Sequence, residues 1–231
     1  LLARGEAKRE DARGVSEVIT VRLLCSLFLQ FLKALFSQLG CVKQIQKEIL
    51  LMSLESMVPT KVDLSKSPLY LRTDFCFGLQ SGGSVGHIAG VLNHLSQFTA
   101  PPIFLTSDPI PTVNPAWETH IIFPSTLFWD FNELAFLQYN DQFYQKTLAL
   151  IKNRCLSFIY QRYSVHNFAG MQLARHYQIP FVLEYNGPEI WIKRNWGGNP
   201  LKYEALAEQI EWLNFKAAHL IVVVSQPLKE A

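Results

Sequence analysis

Residues 81–87, SGGSVGH, set Gly82, Gly83 and Gly86 directly before an apolar helical pattern. Glycine lets the backbone bend tightly and lets a ligand approach with no Cβ in the way. A helix start also offers unpaired amides and the positive end of the helix dipole. Gly82, Gly83, Ser84 and Gly86 therefore have the chemistry to hold a diphosphate. The spacing is neither GxGxxG nor the lysine-containing P-loop, since no Lys-Ser or Lys-Thr pair follows the last glycine. A flexible turn with tight helix-to-strand packing accounts for the same glycines equally well. His87, in the first helical turn, reads either as a surface or capping residue or as a substrate contact.

Two further stretches carry polar groups of the right kind. In QRYSVHNFAG, residues 161–170, Arg162 is placed to hold an anion or sugar hydroxyls, while Ser164 or Asn167 serves as a helix cap and Tyr163 and His166 read as partly buried. In EYNGPEIWIKRNWGGNP, residues 184–200, Glu184 and Tyr185 end a strand, Asn186 and Gly187 make a turn, and Pro188 and Glu189 lead away from it. Glu184 and Glu189 are carboxylates able to accept hydrogen bonds from a polyhydroxylated ligand. The alternative is that Asn186 and Gly187 only form the turn. Trp191, Lys193, Arg194 and Trp196 then interleave aromatic rings with positive charge before a flexible Gly197-Gly198. That mixture suits a sugar platform or a lipid headgroup, and equally a pair of tryptophans packed down on the domain.

These loops need a scaffold, and the pattern beyond Lys66 supplies one. Short apolar runs predict strands over 69–75, 103–106, 119–123, 156–160, 181–185 and 220–224, and helical periodicity predicts helices over 87–98, 131–152, 167–177 and 201–217. Strand and helix in alternation imply right-handed crossovers and a mostly parallel, Rossmann-like sheet with helices on both faces. In such a sheet ligands bind beyond the carboxyl ends of the strands, which is where all three loops fall. The proline-rich loop 106–117 is expected to run stiffly over the surface.

Residues 1–65 differ in character. Residues 1–14 read as a solvated tail. Residues 18–39 form a helix whose Arg22, Ser26, Gln30, Lys33 and Ser37 make one polar stripe on an otherwise apolar surface, Gly40 breaks it, and a second amphipathic helix runs over 42–57 to a stop at Pro59. Arg22 and Lys33 argue against a simple membrane span, and no small-residue cleavage site marks a signal peptide. Packing on the main domain is the favoured reading, ahead of a membrane surface or a partner. The division is thus 1–65, tail and amphipathic helices, and 66–231, the Rossmann-like domain.

Composition narrows the function. The chain has 231 residues, 49% of them hydrophobic, enough for one large core. Its 21 Lys and Arg against 19 Asp and Glu leave a formal charge of +2, too little to hold a nucleic-acid backbone. Cys25, Cys41, Cys76 and Cys155 lack the short spacings of zinc or redox sites and read as buried free thiols in a reducing compartment. The chain opens on Leu1 and stops at Ala231 a few residues past a strand, which reads as a fragment of a longer protein.

Taken in order, YLRTDFCFGLQSGGSVGHIAGVLNHL, FIYQRYSVHNFAGMQLARHYQIPFVLEYNGPE and AAHLIVVVSQPLKE resemble the N-terminal half of the family-four glycosyltransferases with the GT-B fold, over residues 67–231. The resemblance implies an acceptor-side domain facing a C-terminal donor domain across a cleft, with retention of anomeric configuration, no cofactor and no metal. It implies that the glycine loop (Gly82, Gly83, Ser84, Gly86) approaches the diphosphate of a nucleotide-sugar. His87, Glu184 and Arg162 become the expected catalytic residues, and Asp74, Tyr163, Asn186, Gly187 and Glu189 the expected acceptor-binding ones. The family's donor-binding glutamate pair, eight positions apart, falls outside this chain, so catalysis would need the C-terminal half. A glycan or a lipid-linked molecule at the inner face of a membrane is the implied acceptor, and the cytoplasm, peripherally at that membrane, the implied location. A nucleotide-sugar epimerase of related architecture and a non-catalytic binding or assembly module are the competing readings.

Overall fold

The computed structural model describes residues 8–10, 16–54, 61–125, 127–128, 131, 133–196 and 200–230. Near the N-terminus β1 (Lys8–Glu10) pairs antiparallel with β2 (Ser16–Val18), so part of the expected tail is a β-strand. Helix α1 (Val21–Leu54) then runs unbroken for 34 residues. Gly40 does not end it. One glycine costs about 1 kcal/mol relative to alanine in a helix, no proline adds to that between Val21 and Leu54, and burial of Ile45 and Ile49 on the main core holds the second half in place. Pro59, Met57 and the expected end of the second helix lie outside the described residues.

The main domain follows as β3 (Ser67–Arg72), α2 (Gly83–Leu95), β4 (Ile103–Thr106), β5 (Glu118–Ile121), α3 (Leu134–Leu150), β6 (Leu156–Arg162), α4 (Ala169–Tyr177), β7 (Phe181–Tyr185), α5 (Glu189–Asn195), α6 (Glu204–Ala217), β8 (Leu220–Val223) and α7 (Gln226–Glu230). The six strands β3 to β8 form one sheet in the order β5-β4-β3-β6-β7-β8, parallel throughout. The chain starts at mid-sheet, builds outward to β5, then returns beside β3 and builds the other way. This is the doubly wound Rossmann-like order, with its switch point between β3 and β6. The expected α/β class is the observed one.

Strand alternation sorts the side chains onto two faces. Leu69, Leu71, Ile103, Leu105, Ile159 and Leu183 join residues of α1, α3, α4 and α6 in the larger core. Tyr70, Phe104, Phe158 and Tyr160 point the other way, onto Val85, Ile88, Ala89 and Leu92 of α2. The proline-rich loop before β5 is also part of that second core, through Ile110 and Val113, and Asn93 of α2 donates to Thr112 O at 2.9 Å. The loop runs over the surface with Pro109, Pro111 and Pro115 exposed, and Ile110 and Val113 anchor it beneath. The segment 189–195, read as an irregular loop, is the short helix α5. All four cysteines are free, but Cys25, Cys76 and Cys155 are exposed where burial was expected.

Candidate functional site

At the carboxyl end of β3 the chain leaves Arg72 and must cross to α2. Arg72 is almost wholly buried, a position open to an arginine only if its donors are met. They are: Nε and Nη2 grip Asp74 at 3.1 and 2.8 Å, and Nη1 donates to Asp108 O at 3.2 Å. Asp108 in turn accepts from Gly78 N at 2.7 Å. The loop after β3 is thereby tied to the loop after β4.

Beyond it Gly82 adopts φ 124°, a region in which an L side chain is strained, and serves as the N-cap of α2 with no side chain capping the helix. A Cβ added at Gly82, Gly83 or Gly86 would meet nothing within 4 Å. Close helix-to-strand packing, the competing explanation for these glycines, is therefore not their reason. The backbone of 82–86 looks onto open space, with the amide end of α2 foremost.

Next to this start, on the α2 face of the sheet, sits Glu184 at the end of β7, with no exposed surface. Its Oε1 accepts from Arg162 Nη1 at 2.8 Å and Asn186 Nδ2 at 2.7 Å, and its Oε2 from the hydroxyls of Tyr160 at 2.9 Å and Tyr70 at 3.3 Å. Burial, with the Glu184 charge second, pushes the Tyr70 and Tyr160 hydroxyls far above the ordinary tyrosine range, so both remain donors. A carboxylate has about four acceptor sites, and these four bonds use them. Glu184 thus holds Arg162 and Asn186 in place and has no free oxygen for a substrate, a change from its expected catalytic role. His87 Nε2 approaches the same carboxylate to 3.2 Å without the alignment of a hydrogen bond, while the ring stays about one-third exposed.

On the opposite side of the same sheet edge, a cavity of about 470 Å³ opens between the ends of β3 and β6 and helices α3 and α5. Asp74, Phe75, Glu133, Ser164, His166 and Glu189 are among its walls. Glu189 accepts from Val165 N at 3.2 Å, and burial, which outweighs that bond, pushes its carboxyl up to about 7. His166 is fully buried at a left-handed φ of 64°, with Nε2 2.7 Å from Glu133 Oε2 and Nδ1 buried without a hydrogen-bond partner. Burial alone would raise Glu133. The His166 bond and the amides of Tyr203 and Lys202 outweigh it and hold the carboxyl below its usual range. Thr73 and Ser164 share a 2.6 Å hydrogen bond across the switch point.

The expected site residues therefore divide. Arg162, Glu184, Asn186 and His87 meet on the α2 face beside the open glycine turn. Asp74 and Glu189 line the cavity. Gly187 lies in the turn before α5, where its carbonyl accepts from Glu189 N at 2.9 Å. Tyr163 leaves the site altogether: it turns into the larger core, its ring 5.3 Å from that of Tyr185, because β6 alternation sends it away from Arg162. Trp191 and Trp196 are not packed down but exposed, edge to face at 5.1 Å. Gly197 and Gly198 lie outside the described residues. The Arg72 clamp and the His166–Glu133 pair escaped the sequence reading, since Arg72 reads as a strand residue and His166 stands 33 positions from its partner.

Among the described residues no three His, Cys, Asp or Glu side chains are grouped to hold a metal ion. No protein-family model matches the sequence. A comparison with curated proteins finds no match either.

Proposed function

We propose that this chain is the acceptor-side half of a retaining glycosyltransferase of GT-B arrangement, moving a sugar from a nucleotide-sugar to a glycan or lipid-linked acceptor. One observation carries the reading: at the switch point of a doubly wound sheet, an uncapped, open-faced glycine helix start stands beside an arginine held by a saturated buried glutamate. The reaction's main demand is to stabilise charge on a departing nucleoside diphosphate while water is kept from an oxocarbenium-like sugar. The amides of residues 83–85, left free because the first intrahelical bond runs from Gly86 N to Gly82 O at 3.0 Å, and the Arg162 guanidinium answer the first demand with fixed, preorganised donors. Closure of a facing domain answers the second. The neighbouring cavity, with Asp74 and Glu189 as acceptors and Phe75 as an apolar wall, is the place for acceptor hydroxyls. No covalent nucleophile is needed.

The test is turnover of a panel of nucleotide-sugars by the protein expressed from its whole gene, with and without glycan and lipid-linked acceptors, followed by product analysis. Donor consumption that requires acceptor and retains anomeric configuration is expected, with Gly83→Ala lowering the rate by at least about ten-fold through misplacement of the diphosphate. Donor conversion without acceptor would replace this reading with an epimerase. No conversion of any donor would leave a binding or assembly module.

A further inference from the structure

The first half of α1 presents a large apolar surface to solvent. Phe28 is 61% exposed, Phe36 81% and Leu39 69%; the exposed Leu24 and Leu35 stand four residues from Phe28 and Leu39, and the exposed Leu29 two turns from Phe36. Contiguous exposed apolar area on this scale marks an interaction surface. The helix is long and apolar enough to cross a membrane by length and composition alone.

Its contacts decide against a crossing. Ala34, in the middle of the apolar stretch, is fully buried against the domain, and Phe31 stacks on Phe131 at 5.4 Å. Farther along, Ile45 and Ile49 enter the core and Arg175 donates to Met52 O at 2.7 Å. A spanning helix would be ringed by lipid, whereas Ala34 and Phe31 of this stretch pack on the domain and its second half is held in the core. Lys33 is also exposed within that stretch.

Charge identifies the partner. Arg22, Lys33, Lys43 and Lys47 are all exposed and, at 3.6 residues per turn, fall along one flank of the apolar face. The helix's one acidic residue, Glu48, is turned inward, accepting from Gln172 at 3.4 Å. An apolar face bordered by cations on long, snorkelling stems complements a hydrocarbon surface under anionic headgroups.

We propose that α1 lies in the plane of an anionic lipid bilayer, with Leu24, Phe28, Leu35, Phe36 and Leu39 below the headgroups and Lys33, Lys43 and Lys47 among the phosphates. The proposal assigns to α1 the membrane contact that the glycosyltransferase reading leaves without a structural element, and it holds whatever reaction the domain performs.

Flotation of the full chain with phosphatidylcholine vesicles, with and without phosphatidylglycerol, tests it. Wild type should float with the anionic vesicles. The triple variant Phe28→Ser, Leu35→Ser, Phe36→Ser should reduce the bound fraction by at least about ten-fold. Lys43→Glu with Lys47→Glu should reduce it by about ten-fold at low salt and less at high salt. Because every altered side chain is solvent-exposed, both variants should keep the wild-type thermal midpoint. Absence of flotation, or flotation indifferent to the triple variant, overturns the proposal. So does a wild-type dimer in sedimentation that the triple variant converts to monomer, which would assign the face to a second copy. Protease protection of residues before Arg22 in sealed vesicles would overturn the in-plane placement in favour of a crossing.

Discussion

The two helix starts that flank the switch point, at α2 after β3 and at α4 after β6, both carry glycine, and they carry it for opposite physical reasons. At α4 the Gly170 amide donates to Gln161 Oε1 at 2.6 Å, and a Cβ there would fall 2.3 Å from that oxygen and 3.0 Å from the Phe181 ring. Glycine is required because protein already fills the space. At α2 the glycines border open space, and only Gly82 needs the conformational freedom. The same letter after a strand thus means packing in one loop and access in the other. Only three-dimensional surroundings distinguish them.

Gly170→Ala should break the comparison most visibly. It displaces Gln161, which also donates to Asn167 Oδ1 at 3.2 Å, and so unsettles the whole α4 start. A loss of about 2–4 kcal/mol is expected from overpacking and a broken buried bond, read as a fall of about 5–10 °C in the thermal unfolding midpoint. An unchanged midpoint would mean that α4 shifts freely on β6.

Glu189 connects the two starts, since it is held by Val165 of the loop before α4 and feels Asp74 of the loop before α2. Its carboxyl is raised from 4.5 to about 7 in the folded protein. The folded state therefore binds the proton more tightly than the unfolded one. The resulting stabilisation is complete below pH 4.5 and is lost as pH rises through about 7. Denaturant titrations of wild type and Glu189→Gln should diverge across that window by about 1–2 kcal/mol, the group being partly accessible from the cavity. Parallel curves would place the carboxylate in water.

Gly83→Ala should have the smallest effect on folding. The added methyl meets nothing, and alanine favours a helix by up to about 1 kcal/mol. A midpoint equal to or slightly above that of wild type is expected in the same scan. A drop comparable to that of Gly170→Ala would mean the α2 start is packed after all.

The alternation of apolar runs with helical periods was enough to place every strand of the six-stranded sheet within a few residues, because each run is rich in β-branched, aromatic or leucine residues and punctuated by turns, even at the edge strands β5 and β8, which have no buried residue. The long helix was misjudged at Gly40, where local propensity was outweighed by burial of Ile45 and Ile49. Of the site, the polar residues at strand ends were legible by type and position. Their partnerships were not: the four donors to Glu184 come from β3, β6 and the turn after β7, and only the strand order brings them together. Tyr163 failed by parity, being one residue past Arg162 on a strand whose neighbours alternate between faces.

The Arg72 clamp bears on the thermodynamics of recognition as well as on folding. By tying Asp74 and the Asp108 backbone to β3, it removes the conformational entropy of the loop before α2 when the chain folds. A ligand arriving at that helix start meets a surface with little left to order, so its affinity is not diminished by a disorder-to-order transition. Calorimetry of such a ligand should show a small heat-capacity change, set by the contact area alone.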